Sequence, residues 1–142
     1  MGEFIGHGRK ARRCYGFDEI ALVPGDLTIN PNEVDPSWRL DGQRYRVPIL
    51  ASAMDGVVDV QFAVAFGKLG GLAVLNLEGV QTRYEHPEKI LSAIIRPKSD
   101  GATELLQQIY REPIKKKLIA KRIQEIKKAR VPAVVSSIPQ RA

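Results

Sequence analysis

The sequence predicts an α/β fold built on a parallel sheet, and two observations support that prediction. Continuous apolar segments near residues 47–52, 72–77 and 131–135 are typical of strands buried on both faces, as parallel strands are. Segments with apolar residues at helical spacing separate them, and the first connection is short enough for a strand–helix–strand unit. Strands that alternate with helices favour a parallel sheet.

Each helix is predicted from its spacing and its end signals. Residues 60–69 have the apolar pattern of a mostly buried helix, and Gly70-Gly71 would end it with one glycine in the left-handed conformation. Pro87 is well placed as the first residue of the next helix. The further helices are predicted at residues 87–95, 103–111 and about 114–129, with a break at residues 96–101.

The first 45 residues are predicted to form an extended N-terminal arm with turns at Pro31-Asn32 and Asp35-Pro36. Within it, residues 20–23 form a short apolar stretch. Trp38, Leu40, Tyr45 and Val47 are candidates to anchor the arm to a core, so the arm is predicted to be packed rather than free. Residues 46–142 then hold the regular elements.

Composition and charge exclude several classes of protein. Apolar residues make up 44% of the chain, which is enough for a packed core, and no apolar run approaches the length of a membrane span. The N-terminus lacks a signal-peptide pattern, and the single Cys14 cannot form an internal disulfide, so the expected location is the cytoplasm. Nine basic residues against two acidic ones at 111–130 predict a solvated helix face. Nucleic-acid binding is disfavoured because that stripe has no interleaved aromatic residues.

Polar residues follow the predicted strands where a purely structural sheet would need none. Ser52, Met54 and Asp55 follow the first strand, Asn76 lies at the end of the second, and serines end the third. Ligands of parallel α/β folds bind beyond the carboxyl ends of the strands, so these residues are candidates for a ligand site. The alternative for Asp55 is a cap of the following helix.

The motifs that carry a resemblance are "YGFDEIALVPG", "VDPSW", "VPILASAMDGVVD" and "GKLGGLAVLNLEGVQTRYE". In this order and spacing the chain resembles the IMP dehydrogenase/GMP reductase family, and within it the IMP-dehydrogenase-related branch without CBS domains. The resemblance implies a partial TIM (β/α)8 barrel, about its first three βα units, at residues 46–142 behind the arm. It also implies a purine nucleoside monophosphate as ligand and NAD or NADP as cofactor of the complete enzyme.

The resemblance also implies roles for individual residues. Met54 would lie against the purine and Ser52 near the ribose-phosphate, whereas Asp55 would be more structural. Asn76 stands where dehydrogenases of the family usually have a histidine, so its cofactor contact is the weakest of these assignments.

No catalytic residue is expected within this chain. The nucleophilic cysteine and the phosphate loops of the family would lie further along, and Cys14 in the arm does not match the catalytic position. His7 and His86 are isolated, so no metal site is expected. A truncated chain of this kind is expected to be inactive alone.

Two interpretations of the whole chain remain open. It is the N-terminal portion of a purine-nucleotide oxidoreductase, or it is a shortened, non-catalytic family member that serves as a structural or interaction subunit. The open sheet edges at residues 47–52 and 131–137 imply a homo-oligomer or a larger assembly that covers them. Which purine nucleotide is used and which way hydride moves stay undecided.

Overall fold

The computed structural model describes residues 2–95 and 101–141, and the chain divides into two compact units, Met1–Val34 and Asp35–Ala142. The first unit contains the antiparallel hairpin of β1 (Glu3–Ile5) and β2 (Arg9–Ala11). The second begins with the hairpin of β3 (Trp38–Leu40) and β4 (Gln43–Tyr45). Its other elements are β5 (Leu50–Ala51), α1 (Val60–Leu69), β6 (Leu72–Asn76), α2 (Pro87–Ile95), α3 (Ala102–Arg111), α4 (Lys116–Lys128) and β7 (Val134–Ser136).

The three-stranded sheet of the second unit is parallel, and its strands lie in chain order, β5-β6-β7. The α/β class with a parallel sheet is therefore confirmed. Both outer strands, β5 and β7, have one neighbour in the sheet. The assignment of residues 46–142 to the first units of a barrel stays a prediction at this point.

The core lies between the sheet and the helices α1 and α4. Buried side chains from β6, α1 and α4 form one cluster with residues of the connecting segments: Val58, Ala63, Ala73, Leu75, Leu77, Ile126 and Val131. Because successive side chains of a strand point to opposite faces, Ala73 and Leu75 place the helix layer on one face of β6. Leu72, Val74 and Asn76 consequently lie on the other face.

Local signals explain the bounds of α1. The Asp59 carboxylate accepts a hydrogen bond of 2.7 Å from the Phe62 amide, which caps the helix N-terminus. Gly70 ends the helix with φ of 95°, a left-handed conformation in which an L side chain is strained. The predicted helix at 60–69 and its glycine stop are confirmed.

Helix α4 buries its residues at positions 118, 122 and 126, and the middle one is an arginine. Arg122 is only 8% exposed and donates to the carbonyl oxygens of Gln81, Tyr84 and Glu85 at 3.2, 3.4 and 2.9 Å. The prediction that the basic residues of 111–130 form a solvated helix face was wrong for Arg122, because its guanidinium anchors the segment after β6. The other basic residues of 111–130 are exposed, as predicted.

The N-terminal part contains strands that the sequence did not predict. Residues 1–45, predicted as an extended arm with turns, include two antiparallel hairpins. The apolar stretch at 20–23 is exposed, with Leu22 at 103%. Trp38 and Tyr45 do pack, ring to ring at 5.0 Å, and the Trp38 indole donates to the Val47 carbonyl at 2.8 Å. Both belong to the unit that starts at Asp35, whereas the sequence placed them in the arm.

The remaining elements were predicted at the right places, but their first and last residues were not always predicted correctly. The helix at 87–95 is confirmed, and the predicted strand at 47–52 is paired only at Leu50–Ala51. The predicted break at 96–101 falls mostly on residues 96–100, outside the described residues. None of the helices in the described ranges has the length and apolar character to cross a bilayer.

Candidate functional site at the carboxyl ends of the strands

The polar residues at the strand ends lie at one edge of the parallel sheet. Asn76 and Ser136 are the last residues of β6 and β7 and pair directly in the register, so they share a face. That face is the one opposite the helix layer, as the alternation along β6 requires. Ser52 directly follows β5 at the same edge. The sheet therefore gathers polar groups where parallel sheets bind ligands.

The backbone around Met54 forms a tight turn. The Met54 amide donates to the Ser52 carbonyl at 2.8 Å, and the Met54 carbonyl accepts from the amides of Val57 and Val58 at 2.9 Å each. Val58 is fully buried in the core, whereas the Met54 side chain is 57% exposed. A fixed backbone thus presents a soft, apolar side chain to the outside.

Asp55 is the hydrogen-bonding centre of the strand-end region. Its Oδ2 accepts from the Val80 amide at 2.9 Å and from the Tyr110 hydroxyl at 2.7 Å. Its Oδ1 accepts from Asn76 Nδ2 at 3.3 Å. Asp55 does not cap α1, because Asp59 has that role. These contacts link the turn after β5 to the segment after β6 and to α3.

Gly79 makes room for this carboxylate. A Cβ at position 79 would overlap the carboxylate atoms of Asp55. The Gly79 backbone has φ of −97° and ψ of −161°, which other residues also adopt. Glycine is therefore required here by space, not by backbone conformation.

The Tyr110 side chain reaches the Asp55 carboxylate from α3. Burial raises the pKa of Tyr110 to about 12, and the hydrogen bond to Asp55 acts in the same direction. The Arg83 guanidinium lies 5.4 Å from the Tyr110 ring centroid and also donates to the Tyr110 carbonyl at 3.2 Å. Arg83 further donates to the carbonyls of Glu78 and Glu112, which ties the segment after β6 to the end of α3.

Of the residues predicted for the site, Ser52 and Met54 share one turn, and Asp55 links that turn to Asn76. The Asn76 amide is engaged at both ends, since its Oδ1 accepts from the Glu78 amide at 2.9 Å while Nδ2 donates to Asp55. The sequence assigned no role to Gly79, Arg83 or Tyr110. Tyr110 is 55 residues from Asp55, and no motif spacing connects the two.

A cavity of about 430 Å³ lies apart from the strand-end residues, on the side of the helices. Its lining includes four carboxylates, Asp59, Glu85, Glu88 and Glu125, against one buried guanidinium, that of Arg122. A hydrogen bond from Lys121 lowers the pKa of Glu85, so that carboxyl group is ionised near neutral pH. Such an acidic lining disfavours a phosphorylated ligand. The strand ends remain the better candidate site.

No group of three or more histidine, cysteine, aspartate or glutamate residues within the described ranges is arranged to hold a metal ion. Cys14 is an exposed free thiol in the first unit.

Comparison with known proteins decides the family. A model of the IMP dehydrogenase / GMP reductase domain matches residues 14–136. The chain belongs to the IMP dehydrogenase/GMP reductase family. The match covers the turn at Ser52–Val58, the end of β6 and Tyr110, so the whole hydrogen-bonded region lies within the family domain.

The relatives of this family member are longer proteins. An uncharacterised oxidoreductase of Mycolicibacterium smegmatis is 34% identical over 143 aligned positions, which are 97% of this chain and 38% of that protein. The inosine-5'-monophosphate dehydrogenase of Methanocaldococcus jannaschii is 37% identical over 67 residues, 47% of this chain and 14% of that protein. An IMP dehydrogenase/GMP reductase-like protein from Corynebacterium glutamicum, known from its crystal structure, superposes with a TM-score of 0.79 at 29% identity, over 98% of this chain and 38% of the other. The chain thus spans well under half the length of these relatives.

Proposed function

We propose that this chain forms one wall of a purine nucleoside monophosphate site in an oxidoreductase of the IMP dehydrogenase/GMP reductase family. Its second unit would supply about the first three βα units of a TIM (β/α)8 barrel. In the complete protein the reaction would be hydride transfer between the nucleotide and a nicotinamide cofactor. The 142 residues alone would bind nucleotide weakly and would not turn it over.

The observation that carries this proposal is the turn at the end of β5. Met54 is 57% exposed on a backbone fixed by hydrogen bonds from Val57 and Val58. A methionine held in this way offers a polarisable plate for a flat ring, so we place the purine against Met54. Ser52 is exposed in the same turn, and we place the ribose-phosphate near its hydroxyl.

The cofactor, NAD or NADP, fits this chain less well than the nucleotide does. Asn76 is the residue proposed to contact it, and both ends of its amide are hydrogen-bonded to Glu78 and Asp55. A contact with the cofactor would have to use the second Nδ2 hydrogen or the second Oδ1 lone pair, in the orientation that those bonds already set. We therefore assign no residue of the described ranges a part in hydride transfer, and the cofactor would supply the hydride acceptor or donor when bound.

The open sheet edges support a second part of the proposal. Among the described residues, strands β5 and β7 each have one side without a neighbouring strand, and Leu50 and Val135 on them are 51% and 37% exposed. Such edges pair with further strands, from the same protein or from another chain. We propose either a continuing barrel or an assembly that covers them, and the cytoplasm as location, where free thiols such as Cys14 stay reduced.

Titration calorimetry of the chain with IMP, XMP and GMP tests the nucleotide site. The variant Met54→Asp should weaken binding by roughly tenfold or more, because the new carboxylate repels the phosphate and cannot stack on the base. Leu69→Asp is the matched control. Leu69 is also exposed, at 67%, but it ends α1 at the opposite end of the sheet, so its variant should bind like the original chain.

Equal loss in both variants would show that added charge, not the site, causes the effect. Undiminished binding by Met54→Asp would refute the placement of the purine. A chain that binds none of the three nucleotides would overturn the proposal in favour of a non-catalytic structural subunit. Sedimentation of the same samples reports whether the sheet edges are covered by self-association.

A further inference from the structure

We propose that Tyr110 is a positioning residue for the nucleotide wall. Its hydroxyl holds the Asp55 carboxylate, and through it the turn at residues 52–58, in the conformation that presents Met54. This inference rests on the proposed function and adds to it a residue from α3, outside the strand ends. Neither the spacing of the motifs nor the resemblance to the family pointed to Tyr110.

The first argument is the placement of the donors around Asp55. Asn76 and Val80 come from the end of β6 and the segment after it, so they fix the carboxylate on one side. Tyr110 approaches from α3, with the shortest of the three distances, 2.7 Å. A hydroxyl donor to an ionised carboxylate makes a stronger bond than neutral pairs do. Tyr110 thus adds a second donor, from another helix, to the same Oδ2 atom that the Val80 amide bonds.

The second argument is that Tyr110 is itself held firmly. Its neighbour Ile109 is buried at 5%, and the Ile109 carbonyl accepts from the Tyr84 hydroxyl at 2.9 Å. The Tyr110 carbonyl accepts from Arg83 at 3.2 Å, and the same guanidinium lies near the Tyr110 ring. The last turn of α3 is therefore anchored to the segment after β6. A phenol on such a support can position Asp55, whereas one on a loose helix could not.

The third argument is that the Tyr110–Asp55 hydrogen bond should affect ligand binding more than the stability of the fold. Tyr110 is 42% exposed, so water can replace the lost hydroxyl donor, which limits the loss of stability. Asp55, however, follows Met54 directly in the turn, so we expect a change in how its carboxylate is held to reach the side chain proposed to meet the purine. The loss of the Tyr110 hydroxyl should consequently change ligand binding more than stability.

The test compares Tyr110→Phe with Tyr84→Phe in the 142-residue chain. Both remove one phenol hydroxyl that bonds within the α3 region, but only the first bond reaches Asp55. Amide hydrogen exchange, followed by NMR without nucleotide, reports on the Val57, Val58 and Val80 amides. Calorimetry with IMP and GMP reports on binding, and urea unfolding reports on stability.

We expect Tyr110→Phe to raise exchange at these three amides by roughly tenfold and to weaken nucleotide binding by roughly three- to tenfold. Asp55→Asn, which keeps a carbonyl acceptor but loses the charge, should change exchange in the same direction. Tyr84→Phe loses the bond to the Ile109 carbonyl but keeps the Tyr110–Asp55 bond, so it should raise exchange at Val57 and Val58 by much less than Tyr110→Phe does.

Unchanged exchange in Tyr110→Phe would overturn the inference, because the turn would then be fixed without the hydroxyl. Faster exchange with unchanged affinity would also overturn it, since the turn would then not position the ligand. If the original chain binds no nucleotide, the proposed function fails, and the exchange data still decide whether Tyr110 holds the turn. The two failures are therefore distinguishable.

Discussion

Gly79→Ala is the sharpest test of the hydrogen-bonded region around Asp55. The new Cβ would overlap the Asp55 carboxylate, while the backbone at position 79 suits alanine without strain. The carboxylate must therefore move and lose its bonds from Asn76, Val80 and Tyr110. Hydrogen bonds to charged groups contribute about 1.5 kcal/mol each at the low end, which suits this partly exposed site.

The summed contribution of these three hydrogen bonds is not expected to appear in full as lost stability. The displaced carboxylate regains water, and alanine lowers the entropy of the unfolded chain by an amount worth about 0.4–1 kcal/mol. We expect the free energy of unfolding to fall by about 2 kcal/mol. With a urea m-value of about 2 kcal/mol/M, the midpoint would fall by about 1 M at unchanged m.

Urea unfolding followed by the fluorescence of Trp38 measures this change. Trp38 is the single tryptophan and belongs to the unit that starts at Asp35, so its emission reports on the unit that contains Gly79. Gly56→Ala is the matched control. A Cβ at position 56 meets no atom within 4 Å, and this variant should change stability by less than about 0.5 kcal/mol or raise it slightly.

A double-mutant cycle can refute the reasoning. In an Asp55→Ala background the overlapping carboxylate is gone, so Gly79→Ala should cost almost nothing there. If Gly79→Ala costs the same in both backgrounds, the overlap with Asp55 is not the cause. The proposed spatial requirement for glycine at position 79 would then be wrong.

Three further predictions concern single side chains. Asp59→Ala should lower the free energy of unfolding by about 1 kcal/mol through loss of the α1 cap, and Asp59→Ser should retain most of it, both measured by urea midpoint. Arg122→Ala should cost about 2–4 kcal/mol because it removes the donor to the buried Gln81 carbonyl oxygen and to the partly buried one of Glu85. Lys121→Ala, in an exposed ion pair, should cost under about 1 kcal/mol by the same assay. Tyr110 should ionise near pH 12 in ultraviolet titration, and in Asp55→Asn at lower pH; a value near 10 in the original chain would contradict the contact. The pKa of Tyr110 in the folded chain is raised above the ordinary value of 10. The stabilisation that the neutral Tyr110 hydroxyl contributes is therefore complete below pH 10 and is lost as pH rises toward 12.

Local signals in the sequence were sufficient for the helices. The apolar spacing and Gly70 gave the bounds of α1, and Pro87 gave the start of α2, because such end signals act within one turn of the chain. The hairpin of β3 and β4 was missed although its signal is present. Asp41-Gly42 is an Asp-Gly pair, and both residues have positive φ, 48° and 74°, which two-residue hairpin turns favour.

The sequence could not give the extent of pairing in β5. An apolar run predicts burial at residues 47–52, but backbone pairing needs a neighbour, and β5 has only β6 beside it. Similarly, the apolar run at 20–23 suggested packing, and those side chains are exposed in the described structure. Hydrophobicity sets a tendency to be buried, whereas the partner that buries a side chain is a property of the tertiary structure.

The sequence by itself determined the α/β class, the order of the parallel strands and the helices, and the polar character of the strand ends, because periodicity and end signals are local. It also placed Ser52 and Met54 in one short motif, and that motif is part of the resemblance to a known family. Only the tertiary structure decided what Asp55 does. Its donors come from residues 76, 80 and 110, and hydrogen bonds between segments so far apart in the chain depend on where the packed core places them.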